Sequence, residues 1–129
     1  MDERVEIFFM KTESKFLKKF DDSLKTNVKL CDYSWFNLGG NAEYFYKAKD
    51  KNQLIEFLKE AKEKKIKFTI IGAGSNTLFR DKGVSGVVIK LGNNFSFTKL
   101  EKKNIIIAGG ATLDRKVANF AKENSITNL

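Results

Sequence analysis

The sequence contains no histidine, no proline and a single cysteine, Cys31. Without histidine the chain lacks both the side chain that most often moves protons near neutral pH and the commonest metal ligand. One cysteine excludes an internal disulfide and leaves no cysteine cluster for a metal. With no base near it in sequence, Cys31 reads as an inert thiol. No apolar run approaches the roughly 20 residues that span a membrane. The first residues, Met1-Asp2-Glu3-Arg4, are acidic and lead into only a few apolar positions, which makes a poor secretory signal. Met10 serves equally well as the start, since residues 1–9 add no pattern. The expectation is a cytoplasmic chain with no metal.

Arginine is scarce as well, at 3 against 21 lysines within a net charge of +8. Arginine is the better reader of phosphates and base edges. The lysines are scattered, with only short clusters such as Lys62-Glu63-Lys64-Lys65. This favours a solvated lysine surface over a nucleic-acid face, although a small basic module for nucleic acid or another anion stands as the alternative reading.

The 129 residues are 42% hydrophobic with 12 Phe, enough for one globular domain with a core. Phe16, Leu17 and Phe20 among lysines make one turn of an amphipathic helix, ended by Asp21-Asp22-Ser23. Residues 1–30 therefore read as a helical extension without chemistry. An aromatic loop follows, Tyr33-Ser34-Trp35-Phe36-Asn37-Leu38-Gly39-Gly40. Residues 43–48 alternate as a strand. Asp50 is placed to cap a helix over residues 51–65, with Leu54, Ile55, Leu58 and Ala61 on its apolar face. Residues 68–71 are the next strand. Strand, helix and strand within about 30 residues make a βαβ unit with parallel strands. Residues 86–91 form a further strand, and 95–108 a pair of strands around Glu101-Lys102-Lys103-Asn104. Thr112 is placed to cap a last helix to about residue 123, with Leu113, Val117, Phe120 and Ala121 as its core stripe.

Two glycine turns stand out, each at the end of a short apolar strand. One is Gly72-Ala73-Gly74-Ser75-Asn76 and the other Gly109-Gly110-Ala111. Glycine lets main-chain N–H groups approach a ligand with no Cβ in the way, which is how backbone alone holds a phosphate. Two such turns suggest two walls of one pyrophosphate site, with Ser75 and Asn76 adding side-chain donors. The first is not a dinucleotide fingerprint. Its third glycine would fall at Thr77, and residues 90–98 offer Lys90 and neutral groups where a ribose-binding acid belongs. No Gly-Lys-Ser/Thr follows, so it is not a Walker A loop. Trp35 and Phe36 read as core or lid packing before stacking on a flat ring. Arg80 and Asp81 read as a surface ion pair in a turn.

Taken in order, the aromatic loop closing on Gly39-Gly40, the strand–helix–strand, Gly72-Ala73-Gly74-Ser75-Asn76 followed by Leu78, Arg80 and Asp81, the strand at 86–89 and the Ala108-Gly109-Gly110-Ala111 turn form a specific set. From about residue 33 to 129 the set resembles the N-terminal, FAD-binding part of the UDP-N-acetylenolpyruvoylglucosamine reductase (MurB) family of bacterial cell-wall synthesis. The resemblance implies an α+β fold with a βαβ start, the first subdomain of the vanillyl-alcohol-oxidase (PCMH-type) FAD-binding fold, in which FAD lies between two subdomains. It implies that Gly72, Ala73, Gly74, Ser75, Asn76 and Thr77 wrap the FAD pyrophosphate and that Gly109, Gly110 and Ala111 face the cofactor. It implies a hydride passed from NADPH to FAD and on to the enolpyruvyl double bond of the UDP-sugar, giving UDP-N-acetylmuramate.

Family members continue for well over a hundred residues, through a Gly-Ile-Pro-Gly-type loop and on to an Arg, a Ser proton donor and a Glu. No such segments are found here, so no catalytic residue is assigned. The expected organisation is an extension at 1–30, a pyrophosphate-binding subdomain at 31–111, and at 112–129 a helix and the start of a truncated second subdomain. The expected partner is FAD, with no membrane or nucleic acid, no catalysis by these residues alone, and self-association through exposed apolar surface.

Overall fold

The computed structural model describes residues 15–16 and 18–127. The N-terminal residues to 14, Leu17, Asn128 and Leu129, on which parts of the reading above fall, lie outside the described residues. Strands β1 (Leu24–Lys29), β2 (Asn41–Ala48), β3 (Phe68–Ile71) and β4 (Val84–Leu91) form one sheet in the order β1-β2-β4-β3. β1 runs antiparallel to β2, while β2, β4 and β3 are parallel. Strands β5 (Thr98–Lys102) and β6 (Ile105–Ala108) form a separate antiparallel pair. Helix α1 (Lys51–Glu63) joins β2 to β3, and α2 (Asp114–Glu123) follows β6.

The helix start is set by Asp50, whose carboxylate accepts from the Gln53 N–H at 2.9 Å. α1 ends at Glu63, two residues earlier than expected, where Lys65 turns left-handed at φ 56° and the Ile66 N–H returns to the Ala61 carbonyl at 2.8 Å. Its buried residues are Phe57 and Ala61. The expected apolar face included Ile55 and omitted Phe57, but Ile55 is 38% exposed while Phe57 is fully buried. Phe57 stacks on Tyr46 of β2, with centroids 4.2 Å apart and rings 7° from parallel. Phe16 and Phe20 meet its other side at 4.9 and 5.0 Å. Tyr46, Ala48, Val87, Ile89 and Leu91 complete this side of the core.

Leu30, Ala42, Phe45, Ile71, Phe79 and Val88 form a second buried cluster. By strand alternation Phe45 and Val88 point to the face away from Tyr46 and Ile89. Leu30 in a 3-10 turn and Phe79 in a loop cover that face, and Tyr33 packs 4.5 Å from Phe45. Both faces of the sheet are therefore closed, one by α1 and the other by loops.

One reading of the sequence is corrected. The segment read as a helical extension contains β1, and Phe16 is buried in the main core. Residues 15–16 and 18–19, which precede it, are helical, and a 3-10 turn follows at Asp21–Ser23. The strands of the βαβ unit are parallel as expected, but β4 lies between them. The reason is burial. β4 carries Val87, Val88 and Ile89 buried in succession, which requires neighbours on both edges and cover on both faces, while β3 leaves Phe68 and Ile70 exposed at the edge.

Phe57→Ala should cost about 3–5 kcal/mol of unfolding free energy in a denaturant titration, whereas Ile55→Ala on the same helix should change it by no more than about 0.5 kcal/mol. Asp50→Ala should cost about 1 kcal/mol through the lost cap, and Asp50→Asn should retain most of it.

Candidate functional site at the carboxyl edge of the sheet

Because β2, β4 and β3 are parallel, the chain leaves all three at the same edge. In open sheets of parallel strands, this is where ligands settle. The first glycine turn starts at Gly72, directly after β3, and the second at Gly109, directly after β6. The fold brings them together. A Cβ built on Gly72 would stand 2.3 Å from the Gly110 carbonyl oxygen, and one on Gly110 would stand 2.9 Å from Cδ1 of Leu91, the last residue of β4. No side chain fits between Gly72 and Gly110.

The aromatic loop forms a third side. Gly74 has φ +78°, and a Cβ there would meet the Tyr33 carbonyl oxygen at 2.0 Å. The Trp35 N–H donates to the Gly74 carbonyl at 3.1 Å. The Ser34 hydroxyl, 4% exposed, donates to the Thr77 carbonyl at 2.6 Å and accepts from the Phe36 N–H at 3.2 Å. The loop is thus tied to both ends of the glycine turn. Trp35 and Phe36 themselves are 65% and 54% exposed, which rules out the core alternative of the expected core or lid packing. Leu38 and Leu78 are exposed too.

The two turns differ in what they offer. Among the described residues, no acceptor meets the N–H groups of Ala73, Gly74, Ser75 or Asn76. Gly74 is buried, and Ala73 and Ser75 are half-buried. Asn76 is exposed, but the other three successive donors sit where a partner is called for, since buried main-chain N–H groups are almost always paired. The Ser75 hydroxyl also bonds to no described residue. In the second turn the Gly109 N–H donates to the Phe97 carbonyl and the Ala111 N–H to the Phe95 carbonyl, both at 2.9 Å, which leaves Gly110 as the spare donor there. Of the two expected walls, residues 73–76 carry the run of N–H groups without a described acceptor, and 109–111 stand close behind as main chain.

Neighbouring side chains refine this picture. The Asn76 amide donates to the Asp114 carboxylate at 3.4 Å, at the first residue of α2. Thr112 does not cap that helix. Its hydroxyl accepts from the Phe97 N–H at 3.0 Å and donates to the Phe97 carbonyl at 2.9 Å, and Leu113 holds the cap position without a side-chain bond. Of the expected stripe on α2, Ala121 is buried, while Leu113, Val117 and Phe120 are half-buried. Strand β5 begins at Thr98, later than expected, because the Phe95 and Phe97 carbonyls serve the second glycine turn.

Among the described residues, Arg80 and Asp81 form no ion pair. Their segment contributes backbone, with the Arg80 carbonyl accepting from the Gly40 and Gly83 N–H groups at 2.9 Å. Cys31 is half-buried, 3.6 Å from its neighbour Asp32. Sequence reasoning overlooked Lys90 as a site residue. Its ammonium donates to the Gly72 carbonyl and, at 3.2 Å, to the Leu91 carbonyl. Burial, and then Lys47, hold its pKa below the ordinary lysine value. A lysine between the apolar Ile89 and Leu91 was the available signal. Among the described residues, no helix is long and apolar enough to cross a membrane.

Residues 42–128 match the sequence model of the FAD binding domain family. The chain is similar to the UDP-N-acetylenolpyruvoylglucosamine reductase of Orientia tsutsugamushi (strain Ikeda), at 41% identity over 116 residues, covering 88% of this chain and 38% of that protein. The enzyme of the same name from Pelagibacter ubique is 42% identical over 112 residues, covering 87% of this chain and 37% of that protein. The one from Wolbachia sp. subsp. Brugia malayi is 36% identical over 113 residues, covering 88% and 37%. The chain thus spans somewhat over a third of the length of these relatives. Since the family match runs across both glycine turns, and the structure places those turns in contact beside an array of unpaired N–H groups, the chain belongs to the FAD binding domain family.

Proposed function

We propose that the turn at residues 72–77 holds the pyrophosphate of FAD. The observation that carries this reading is the run of four main-chain N–H groups, Ala73, Gly74, Ser75 and Asn76, with no acceptor among the described residues, on a turn where glycine alone fits. Hydrogen bonds from N–H groups to an anionic oxygen are roughly twice as strong as neutral ones, and this array has donors enough for both phosphates. Gly109, Gly110 and Ala111 form the wall behind it. Ser75 adds a free hydroxyl, and Thr77 anchors the far end of the turn through Ser34. The chain's net charge of +8 favours the approach of a dianion.

When bound, FAD would supply the two-electron redox chemistry, and the residues described here bind and orient it. The relatives' name supports a place for this chain as the N-terminal part of an NADPH-dependent reductase that converts UDP-N-acetylenolpyruvoylglucosamine to UDP-N-acetylmuramate in peptidoglycan synthesis. The share of those proteins that it spans supports a further proposal, that NADPH oxidation and sugar reduction need residues beyond these 129. In this reading residues 31–111 carry the pyrophosphate site, and 112–129 lead towards the other side of the cofactor.

Titration with FAD, followed by flavin fluorescence, should show saturable binding that excess ADP competes away and that added salt weakens only slightly. A steep fall with salt would instead indicate a nucleic-acid-type polyelectrolyte interaction. Gly72→Ala should weaken FAD binding at least about tenfold, roughly 1.4 kcal/mol, while far-UV circular dichroism stays unchanged. With FAD and NADPH supplied, the 129-residue chain should show no NADPH oxidation above the rate of free flavin, and sustained turnover would refute its dependence on further residues.

A further inference from the structure

Lys90 stands where a cation is costly. It follows the buried run Val87, Val88 and Ile89, faces Ile71 on β3 and lies directly opposite Lys47 on β2. Like charges directly opposite each other on neighbouring strands destabilise a sheet. Among the described residues, neither lysine has a carboxylate partner, since the ion pairs there are those of Lys19 with Glu56 and Glu60. A lysine kept only for solubility would extend into water. Lys90 instead directs its ammonium at two main-chain carbonyls, Gly72 at the start of the glycine turn and Leu91 at the end of β4.

The bond to Gly72 has a geometric consequence. In a planar trans peptide the C=O and the following N–H point in opposite directions. With the Gly72 carbonyl drawn to Lys90, the Ala73 N–H points away from it, and this is the first of the four donors without a protein acceptor. The same contact leaves an uncompensated positive charge at the root of the turn, with that of Lys47 one strand away.

We propose that Lys90 is a positioning residue of the anion site, fixing the Gly72 peptide so that the Ala73 N–H faces the ligand and supplying, with Lys47, a positive field that favours a ligand with two negative charges. This rests on the pyrophosphate reading above. Burial supports it. Lys90 loses its proton at lower pH than an ordinary lysine, and the charged groups that face it are limited to Lys47, because β3 and the glycine turn present none among the described residues.

The test compares the chain with Lys90→Met, which keeps the aliphatic stem without charge or donors, and with Lys90→Arg, which keeps the charge. FAD affinity is read by flavin fluorescence and ADP affinity by calorimetry, alongside the melting temperature of each variant. Lys90→Met should weaken both ligands about tenfold with little change in melting, and Lys90→Arg should recover to within about threefold of the original affinity. A pH series with ADP gives a readout that a purely structural lysine would not move. Binding needs the charged form of Lys90, so affinity should be full near neutral pH and should fall as pH rises towards the ordinary lysine value of about 10.4, whereas Lys90→Met should show a flatter profile. If Lys90→Met matches the original chain in affinity and pH profile, this inference fails and the pyrophosphate reading stands. If both variants lose affinity in step with melting temperature, Lys90 is structural and the inference fails. If the original chain binds neither FAD nor ADP, the pyrophosphate reading fails and takes this inference with it.

Discussion

Three successive residues of β4, Val87, Val88 and Ile89, can be buried together only if the sheet is covered on both faces and β4 has a neighbour along each edge. That demand places β4 between β2 and β3, sets all three parallel, and so collects their carboxyl ends at one edge. It also calls for cover on the face that α1 does not reach. The cover comes from loops: Leu30 and Tyr33 on one side of the glycine turn and Phe79 on the other. Loops recruited to close a core are thereby brought against the segment that carries the donors. Ser34, buried beside Tyr33, can then reach the Thr77 carbonyl.

The close approach of Gly72 to Gly110 follows from the same arrangement. The β5–β6 pair contributes a turn rather than a strand to the edge, and the only way to seat that turn against β3 is main chain on main chain. The second turn spends its Gly109 and Ala111 N–H groups on Phe97 and Phe95 in order to hold that position. Its contribution is rigidity and closeness. The first turn spends nothing on itself and keeps its donors free. Two glycine turns of similar appearance thus differ in role, one keeping a run of N–H groups uncommitted among the described residues and the other forming a close main-chain wall.

Much of this was legible in the sequence. The strand at 68–71, α1 with its Asp50 cap, and both glycine turns announce themselves through short-range rules of alternation, capping and glycine geometry. What local rules do not encode is which strand becomes central, and β3 and β4 look alike as short apolar runs until their burial is compared. β1 escaped notice because Leu24 to Lys29 has the pattern of an exposed edge strand, with one polar residue after another. Leu54, Leu58 and Ala61 were rightly placed on the helical stripe, but Ile55 was taken for its remaining member where Phe57 stacks on Tyr46. In the site, residue types were readable but their hydrogen-bond commitments were not. Whether a glycine N–H is free depends on carbonyls 12 to 16 residues away in the chain, such as those of Phe95 and Phe97.

The acidic residue nearest the donors sharpens the electrostatic argument. Asp114 begins α2, where its carboxylate offsets the positive end of the helix dipole, and the Asn76 amide bonds to it. The helix N-terminus is therefore already answered by the chain's own charge and does not compete for an anion. On the opposite side, β4 brings Lys90 to the Gly72 carbonyl, with no carboxylate partner among the described residues. Positive potential is thus quenched at the helix and retained at the turn. An apolar residue facing Ile71 would pack at lower cost, whereas the half-buried Lys90 places its ammonium on the Gly72 and Leu91 carbonyls. In the proposed reading it is the placement of that charge, more than the glycines alone, that distinguishes an anion-holding turn from one that reverses the chain.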